Sequence, residues 1–231
     1  MTRVKCRVLV DFDGTIAAVD TTDLLLETFA APGWEAIEDE WRRGQIGSRE
    51  CMLRQIDLVR ATPDEMDAFI AGLEIDPDFP GFVAMCAAEG VEIAVVSDGL
   101  DRTVGAVLAR YGLDLAYHAN RLEWLGADRW RLGFPHARGD CQTLAGNCKC
   151  QFAAEATGAV RVVVGDGRSD FCVAGEVELV LAKGALAAHC RSSGLAHHEI
   201  QSFAEATPLL RAWLDDTQAH VRMQSDVFRD D

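Results

Sequence analysis

The chain has 231 residues and 49% of them are hydrophobic, so it can bury a sizeable core, and a disordered protein is excluded. Its formal net charge of −15 argues against a nucleic acid or an anionic membrane as a partner, although a small anionic substrate remains compatible. No apolar run approaches the roughly 20 residues of a membrane span, and the N-terminus lacks the form of an export signal. We therefore expect a cytoplasmic protein with reduced cysteines.

The first third of the chain predicts one strand followed by a helical block. Residues 6–11 form a short apolar strand, and a helical pattern extends from about residue 20 to residue 75. Within it, Thr62 and Glu65 have the spacing of a capping box, with Pro63 at the first helical position. A linker rich in proline and aspartate follows at residues 76–81.

Helices and strands alternate through the rest of the chain. We predict helices over residues 82–89, 103–111, 150–157, from 169 and 203–215, and strands over 91–97, 113–118, 160–165 and 177–181. Residues 121–132 predict a hairpin, 134–148 a long loop and 222–231 a loose tail. This order predicts an α/β core with a doubly wound parallel sheet, made of residues 1–16 and 77–231, and a small helical cap over residues 17–76.

Polar residues follow three of the predicted strands. They are Asp11 and Asp13 in Asp-Phe-Asp-Gly-Thr, then Ser97-Asp98-Gly99, then Asp166 and Asp170 in Gly-Asp-Gly-Arg-Ser-Asp. Because ligands bind at the carboxyl ends of strands in such sheets, we expect these groups to meet in one crevice. Lys149, at the start of the helix before the third of these strands, can project over the same edge. Taken singly, the residues also suit turns, a strand-end cap, a surface lysine or a helix N-cap.

The four motifs in this order resemble the haloacid dehalogenase-like phosphatases, with the inserted helices resembling the cap of the phosphoserine-phosphatase-like branch. The resemblance implies a Rossmann-like core and Mg²⁺-dependent hydrolysis of a small phosphorylated metabolite. Asp11 would attack phosphorus, and Asp13 would protonate the leaving oxygen and later activate water. It also implies metal ligation by Asp11, the Asp13 carbonyl, Asp166 and Asp170, and phosphate binding by Ser97, the N–H groups of Asp98 and Gly99, and Lys149.

Residues that would select the substrate are expected in the cap. Asp20 lies where that branch has an acidic residue that contacts the substrate, although it equally suits the N-cap of the first cap helix. Where the branch has an arginine that pairs with the substrate carboxylate, this chain has Gln55, with Arg54 beside it. A neutral glutamine cannot form that bidentate ion pair, which counts against phosphoserine.

The predicted loop before Lys149 carries a distinctive set of residues. Its Pro-His pair and its cysteines resemble the methionine-salvage branch of these phosphatases, which implies a sugar-derived enol phosphate as the substrate. His136, Cys141, Cys148 and Cys150 could bind Zn²⁺, form a disulfide or pack as reduced side chains.

We therefore predict a phosphomonoester hydrolase that works through an aspartyl-phosphate. Phosphoserine hydrolysis and phosphotransfer to another acceptor remain alternatives, as does a non-catalytic binding protein on the same fold.

Overall fold

The structure is a computed structural model that describes residues 4–227. Within that range the strands form one seven-stranded sheet in the order β4-β3-β2-β1-β5-β6-β7. The strands are β1 Cys6–Val10, β2 Glu92–Leu100, β3 Ala116–Gly126, β4 Arg129–Gly133, β5 Val160–Gly165, β6 Leu179–Ala182 and β7 His198–Glu199. Neighbouring strands are parallel except β3 and β4, which form an antiparallel hairpin. This is the predicted α/β architecture. From β1 at the centre, the chain adds β2 to β4 outward on one side and β5 to β7 outward on the other.

Helices cover both faces of the sheet. They are α1 Thr21–Phe29, α2 Trp34–Arg42, α3 Ser48–Ile56, α4 Pro63–Ala71, α5 Phe79–Glu89, α6 Asp101–Arg110, α7 Lys149–Glu155, α8 Phe171–Ala174, α9 Gly184–Ser193 and α10 Phe203–Val227. Among the described residues, no helix is long and apolar enough to cross a membrane.

Alternating side chains of the central strands pack into two separate cores. In β1, Val8 and Val10 join the core beneath α5, α6 and α10, whereas Leu9 joins the core beneath α7, α8 and α9. All three side chains are buried. A strand buried on both faces reads as a continuous apolar run, which is why β1 could be predicted from the sequence.

Helices α1 to α4 lie between β1 and β2, in the segment of residues 17–76 that we call the helical insertion. A bridge between Ala17 and Ile75 brings its two ends together. Asp20 caps α1, and its carboxylate accepts the N–H groups of Thr22 and Asp23. The division of residues 17–76 from the core as a separate cap domain stays a prediction.

The capping box predicted at the start of α4 is present. The Thr62 hydroxyl accepts the Glu65 N–H, and the Glu65 carboxylate accepts the Thr62 N–H. Pro63 takes the first helical position, where its missing N–H leaves no backbone acceptor unpaired.

The β3–β4 hairpin ties the sheet to the helical insertion. The Ala61 N–H donates to the Asp128 carbonyl at 3.1 Å, and the Trp130 indole N–H donates to the Ala61 carbonyl at 2.8 Å. Arg129 adds an exposed ion pair with Asp57 at 2.8 Å. The edge of the core sheet therefore supports the insertion directly.

Four local predictions differ from the structure. The strand predicted at 113–118 and the first arm of the predicted hairpin are one continuous strand, β3, because its pairing with β2 runs on into its pairing with β4. Strand β6 is displaced by about one residue from its predicted position. Helix α9 and the two-residue strand β7 were not predicted, since the first has little apolar periodicity and the second is too short to show any.

The C-terminal helix is longer than predicted. Helix α10 extends through Val227, so the loose tail predicted at 222–231 is helical as far as that residue. The last part of that predicted tail, residues 228–231, lies outside the described residues.

Asp76 connects the end of the insertion to the C-terminal helix. Its carboxylate, 8% exposed, accepts the Asp78 N–H at 2.9 Å and the Phe203 N–H at 3.1 Å. We expect Asp76→Ala to lower the free energy of unfolding by about 1–3 kcal/mol, because it leaves a buried N–H without an acceptor. Asp78→Ala is the matched control, since Asp78 is exposed and caps no N–H with its side chain. Urea unfolding measures both, and equal effects would contradict this role for Asp76.

Candidate active site

Asp11 and Asp13 lie where β1 ends at the sheet edge. The Asp11 carboxylate accepts the Phe12 N–H at 2.8 Å, and the Asp13 carboxylate accepts the N–H and hydroxyl of Thr21 at 2.8 and 2.5 Å. Gly14 follows with φ of +67°, and a β-carbon there would collide with the Asp166 carboxylate. The turn therefore needs glycine both for its backbone angle and for the approach of a third carboxylate.

Lys149 is the buried cation of the site. Its ammonium lies 2.6 Å from Asp11 Oδ2 and 2.6 Å from Asp170 Oδ1, and it donates to the Ser169 hydroxyl at 3.0 Å. The residue is only 1% exposed. Burial alone would lower the pKa of Lys149, but the charges of Asp11 and Asp170 outweigh it and raise the pKa above its usual value. The ammonium therefore stays charged and holds both carboxylates in place.

The four aspartates outnumber the lysine beside them. Burial, with the nearby charge of Asp11, raises the pKa of Asp166 to about 6. Burial also raises the pKa of Asp170 well above its usual range, although Lys149 opposes the shift. The pKa of Asp13 is likewise raised well above its usual range by burial and then by the charge of Asp20. The buried carboxyls are thus in excess over the single lysine, and the raised pKa values show that ionising all of them needs additional positive charge.

A metal ion would supply the positive charge that this excess of carboxyl groups needs. One carboxylate oxygen from each of Asp11, Asp166 and Asp170 lies within 4.8 Å of the other two. The donors are all oxygen atoms, the ligand type that hard divalent cations prefer. The acidic cluster can therefore hold a cation that neutralises the charge Lys149 leaves.

The segment after β2 also reaches this edge. The Gly99 N–H donates to the Ser97 hydroxyl at 2.9 Å, and that hydroxyl lies 3.4 Å from Asp13 Oδ2. The Asp98 carboxylate turns toward the loop before α7, where it accepts the Asn147 N–H at 2.9 Å and the Asn120 amide at 3.1 Å. Burial raises the pKa of Asp98 to about 6. Its side chain thus joins the strand end to the segment that delivers Lys149.

A cavity of about 550 Å³ lies between the sheet edge and the helical insertion. From the sheet edge and its loops it is lined by Asp11, Asp13, Asp98, Gly99, Asp166 and Arg168. From the insertion it is lined by Asp20, Asp23, Glu38, Trp41, Arg42, Cys51, Met52 and Gln55. Ser97, Lys149 and Asp170 are buried behind the lining. The predicted core residues are therefore brought together around or directly behind one cavity.

The three predicted cap residues have different positions. Asp20 lines the cavity as well as capping α1, so the structure is compatible with both of its predicted roles. Gln55 lines the cavity and donates its amide N–H to Glu38 at 3.0 Å. Arg54 does not line the cavity: its guanidinium pairs with Glu40 at 2.6 and 3.0 Å on the other side of α3. The structure therefore does not bring Arg54 to the site.

Several residues of the cavity wall were not predicted from the sequence. Arg168 stacks over the ring of Trp41 at 5.0 Å and closes one wall of the cavity between the sheet and the insertion. Glu38 and Arg42 form an ion pair at 3.3 Å on the same wall. Arg168 could have been noticed because it lies inside the Gly165–Asp170 motif, but its partner is distant in the sequence.

The cysteine-rich loop is reduced. All eight cysteines of the chain are free. Within residues 4–227, only the three aspartates form a group of possible metal ligands with atoms this close together, so His136, Cys141, Cys148 and Cys150 do not share a metal geometry. His136 packs instead against the rings of Phe152 and His118. Of the three alternatives for this loop, the structure has the third, in which the cysteines are reduced and pack as ordinary side chains.

The doubly wound sheet, with a carboxylate cluster braced by a lysine at the carboxyl ends of its strands, places the protein among the Rossmann-like α/β proteins. The chain belongs to the haloacid dehalogenase-like hydrolase family, whose model matches residues 8–175. The expected membership is thereby confirmed, and with it the Rossmann-like core.

Known proteins resemble the chain over most of its length. It is 28% identical over 213 residues to the 2-hydroxy-3-keto-5-methylthiopentenyl-1-phosphate phosphatase of Brevibacillus brevis, covering 90% of this chain and 96% of that one. The enzyme of the same name from Geobacillus thermodenitrificans is 29% identical over 210 residues, covering 87% and 93%.

Solved structures share the fold. A substrate-bound phosphoserine phosphatase superposes with a TM-score of 0.67 at 20% identity, covering 88% of this chain and 97% of that one. A phosphoserine phosphohydrolase-like protein from Francisella tularensis gives a TM-score of 0.67 at 17% identity, covering 88% and 98%. Both likenesses extend over most of this chain and nearly all of the other.

Two glycines beside the cavity test how closely the carboxylates are placed. A β-carbon at Gly99 would collide with the Asp13 carboxylate, whereas one at Gly167 would meet no atom within 4 Å. We expect Gly99→Ala to lower hydrolytic activity on the order of 10²-fold, because Asp13 is the predicted acid and base, and a small displacement of such a group is costly. Gly167→Ala is expected to keep near-normal activity. Steady-state hydrolysis of p-nitrophenyl phosphate compares them, and equal losses would argue against tight packing at Asp13.

Proposed function

We propose that the protein is a Mg²⁺-dependent phosphatase that hydrolyses a small phosphorylated metabolite through an aspartyl-phosphate on Asp11. The observation that carries the proposal is the position of Asp11, which lies at the cavity wall with Lys149 at 2.6 Å. A carboxylate at the wall of a cavity can attack phosphorus and form an acyl phosphate, and the ammonium fixes its orientation. Family membership and the names of the curated relatives support the same reaction class.

The proposed reaction has two steps. A carboxylate oxygen of Asp11 bonds to phosphorus while the bond to the leaving oxygen breaks, and Asp13 gives that oxygen a proton. Asp13 then removes a proton from water, the water oxygen bonds to phosphorus, and the bond to Asp11 breaks to release inorganic phosphate. Thr21 supports this role by holding the Asp13 carboxyl through two hydrogen bonds.

The remaining groups would bind the phosphoryl oxygens. Mg²⁺ held by Asp11, the Asp13 carbonyl and Asp166, with Asp170 direct or through water, would neutralise charge on those oxygens when bound. Asp98 and Gly99 line the cavity, and their N–H groups would donate to the same oxygens, the Gly99 N–H in place of its bond to the Ser97 hydroxyl. Lys149 and the Ser97 hydroxyl, which are buried behind the cavity lining, would also bind the phosphoryl oxygens.

The wall formed by the insertion favours a leaving group without a carboxylate. Because a carboxylate such as Glu38 can only accept, the Gln55 amide must turn its NH₂ toward Glu38 and its carbonyl oxygen away. Gln55 therefore offers the cavity an acceptor, as do Asp20 and Asp23. Hydroxyl or ammonium groups suit these acceptors, whereas a substrate carboxylate placed against them would meet repulsion. The two arginines of the lining lie elsewhere on the wall, Arg42 paired with Glu38 and Arg168 over the ring of Trp41.

The favoured substrate is an enol phosphate of the methionine-salvage type. The compound in the names of the curated relatives carries a hydroxyl, a keto group and a methylthio group, and no carboxylate. Trp41, Cys51 and Met52 supply apolar surface that suits a thioether. Phosphoserine is the second candidate, favoured by Asp20, which could accept from its amine, and opposed by Gln55. We propose a cytoplasmic location for this reaction.

Removing the nucleophile tests the mechanism. We expect Asp11→Asn to abolish measurable hydrolysis of p-nitrophenyl phosphate, because the amide cannot attack phosphorus, and Asp13→Asn to lower it on the order of 10²–10⁴-fold. Chelation of Mg²⁺ should remove wild-type activity and its return should restore it. Asp78→Asn, an exposed change remote from the cavity, is the control.

Two outcomes would contradict the mechanism. Full activity of Asp11→Asn would exclude the aspartyl-phosphate, and a wild-type protein inactive on every phosphoester would favour a binding protein. Product analysis with added alcohols separates hydrolysis from phosphotransfer, because transfer yields a new phosphoester in place of inorganic phosphate.

A pair of substrates that differ in one carboxylate tests the insertion wall. We expect the wild-type protein to have a higher kcat/KM for phosphoethanolamine than for phosphoserine. Gln55→Arg adds a positive charge to the wall and should raise the phosphoserine-to-phosphoethanolamine ratio about tenfold, the effect of one charge-assisted hydrogen bond. Arg54→Gln is the control, since this neighbouring side chain pairs with Glu40 away from the cavity. A wild-type preference for phosphoserine would contradict the proposed wall.

A further inference from the structure

A second cavity of about 330 Å³ is lined by four thiols and has no part in the proposed phosphatase chemistry. We call it the thiol cavity, and its cysteines are Cys141, Cys148, Cys150 and Cys172. Three come from the loop before α7 and the start of that helix, and Cys172 comes from α8. Cys172 lies outside the cysteine-rich loop in the sequence, yet it joins the three cysteines of that region in space.

The four thiols interact in series. All four line the same cavity. Cys141 and Cys148, Cys148 and Cys150, and Cys150 and Cys172 are each close enough for one thiol to affect the pKa of the other. Cys141 and Cys148 are buried, whereas Cys150 and Cys172 are partly exposed. The outer pair is therefore the one that a reagent in solution can reach.

The cavity suits neither an anion nor a metal as it stands. Its two arginines are already paired, Arg138 with Asp140 at 2.9 Å and Arg161 with Glu178 at 2.6 Å. A tetrahedral metal site needs four sulfur atoms close to one another, whereas no three of these lie mutually within 4.8 Å. The remaining chemical feature of this cavity is its neighbouring thiols, whose characteristic reaction is oxidation to a disulfide.

The outer pair is joined directly to the site. Cys150 follows Lys149 in the chain, and Cys172 lies two residues after Asp170. Lys149 and Asp170 meet at 2.6 Å. A covalent bond between the two cysteines would therefore constrain the two backbone segments that place this ion pair.

We propose that Cys150 and Cys172 form a redox-active pair that a hydroperoxide converts into a disulfide. One thiolate attacks the peroxide, giving a sulfenic acid and releasing an alcohol, or water from hydrogen peroxide. The second thiol then attacks the sulfenic sulfur. The S–S bond forms as the S–O bond breaks, and the hydroxyl leaves as water with the proton of the thiol. The two cysteines are oxidised by two electrons and the peroxide is reduced by two. A dithiol reductant reverses the change by thiol–disulfide exchange.

The disulfide lowers phosphatase activity. Bonding draws the two separate sulfur atoms to the S–S length of about 2.05 Å, and α7 and α8 must adjust to allow it. Because Lys149 begins α7, the adjustment reaches its contacts with Asp11 and Asp170. We expect a loss of at least about tenfold, given that a 1 Å misplacement can cost on the order of 10²-fold.

Peptide mapping tests the pair without any activity measurement. The protein is treated with hydrogen peroxide, its remaining thiols are alkylated, and it is digested with trypsin. The expected product joins the peptide of residues 150–161 to the peptide of residues 169–183, with the loss of two hydrogen atoms, and dithiothreitol separates them. A disulfide between Cys141 and Cys148 would instead stay within one peptide, residues 139–149. A failure of the phosphatase proposal would leave this result unchanged.

Variants connect the bond to activity. Cys172→Ser and Cys150→Ser should each resist the peroxide-induced loss of p-nitrophenyl phosphate hydrolysis. Cys141→Ser, a change in the same cavity that leaves the outer pair intact, should still respond and recover with dithiothreitol. Absence of the linked peptides, equal inactivation of Cys172→Ser, or thiols protected by a stoichiometric metal ion would each overturn the proposal.

Discussion

The buried ammonium of Lys149, held at 2.6 Å between Asp11 and Asp170, is the interaction on which the rest of the site depends. A charge this deeply buried is tolerated only with close partners of opposite sign. The loop before α7 must therefore deliver the lysine to the sheet edge, and Asn147 fixes that loop by donating to the carbonyls of Ser97 and His118. Removing the lysine would leave two carboxylates facing each other without compensation.

Crowding is the second constraint. The carboxylates approach so closely that glycine occupies the backbone beside three of them: Gly14 faces Asp166, Gly99 faces Asp13 and Gly165 faces Asp170. These glycines belong to the same motifs as the acidic residues. The motifs therefore specify an excess of charge together with the space that lets it gather, and this combination suits a site that binds a cation and a phosphate.

The core and its acidic residues could be predicted because each depends on local pattern and one general rule. Strands β1, β2 and β5 are apolar runs that end in polar residues, and the ends of parallel strands share an edge. The cavity wall could not be predicted in the same way. Arg54 and Gln55 are adjacent, yet they lie about 100° apart around α3, and only the packing of that helix decides which one faces the cavity. The Trp41–Arg168 contact likewise depends on the docking of two distant segments.

The support that the β3–β4 hairpin provides has a consequence for modularity. Ala61, at the end of the loop between α3 and α4, has both backbone groups engaged by the hairpin, the N–H by Asp128 and the carbonyl by Trp130. An insertion transplanted into a related core would lose both partners unless the hairpin travelled with it. Under the proposed function, a change of substrate by exchange of the insertion is thus coupled to a strand pair about 70 residues away in sequence, since Trp130 and Ala61 are separated by 69 positions. The part of the chain proposed to select the substrate is therefore discontinuous in sequence, since it combines the inserted helices with the β3–β4 hairpin at the edge of the sheet.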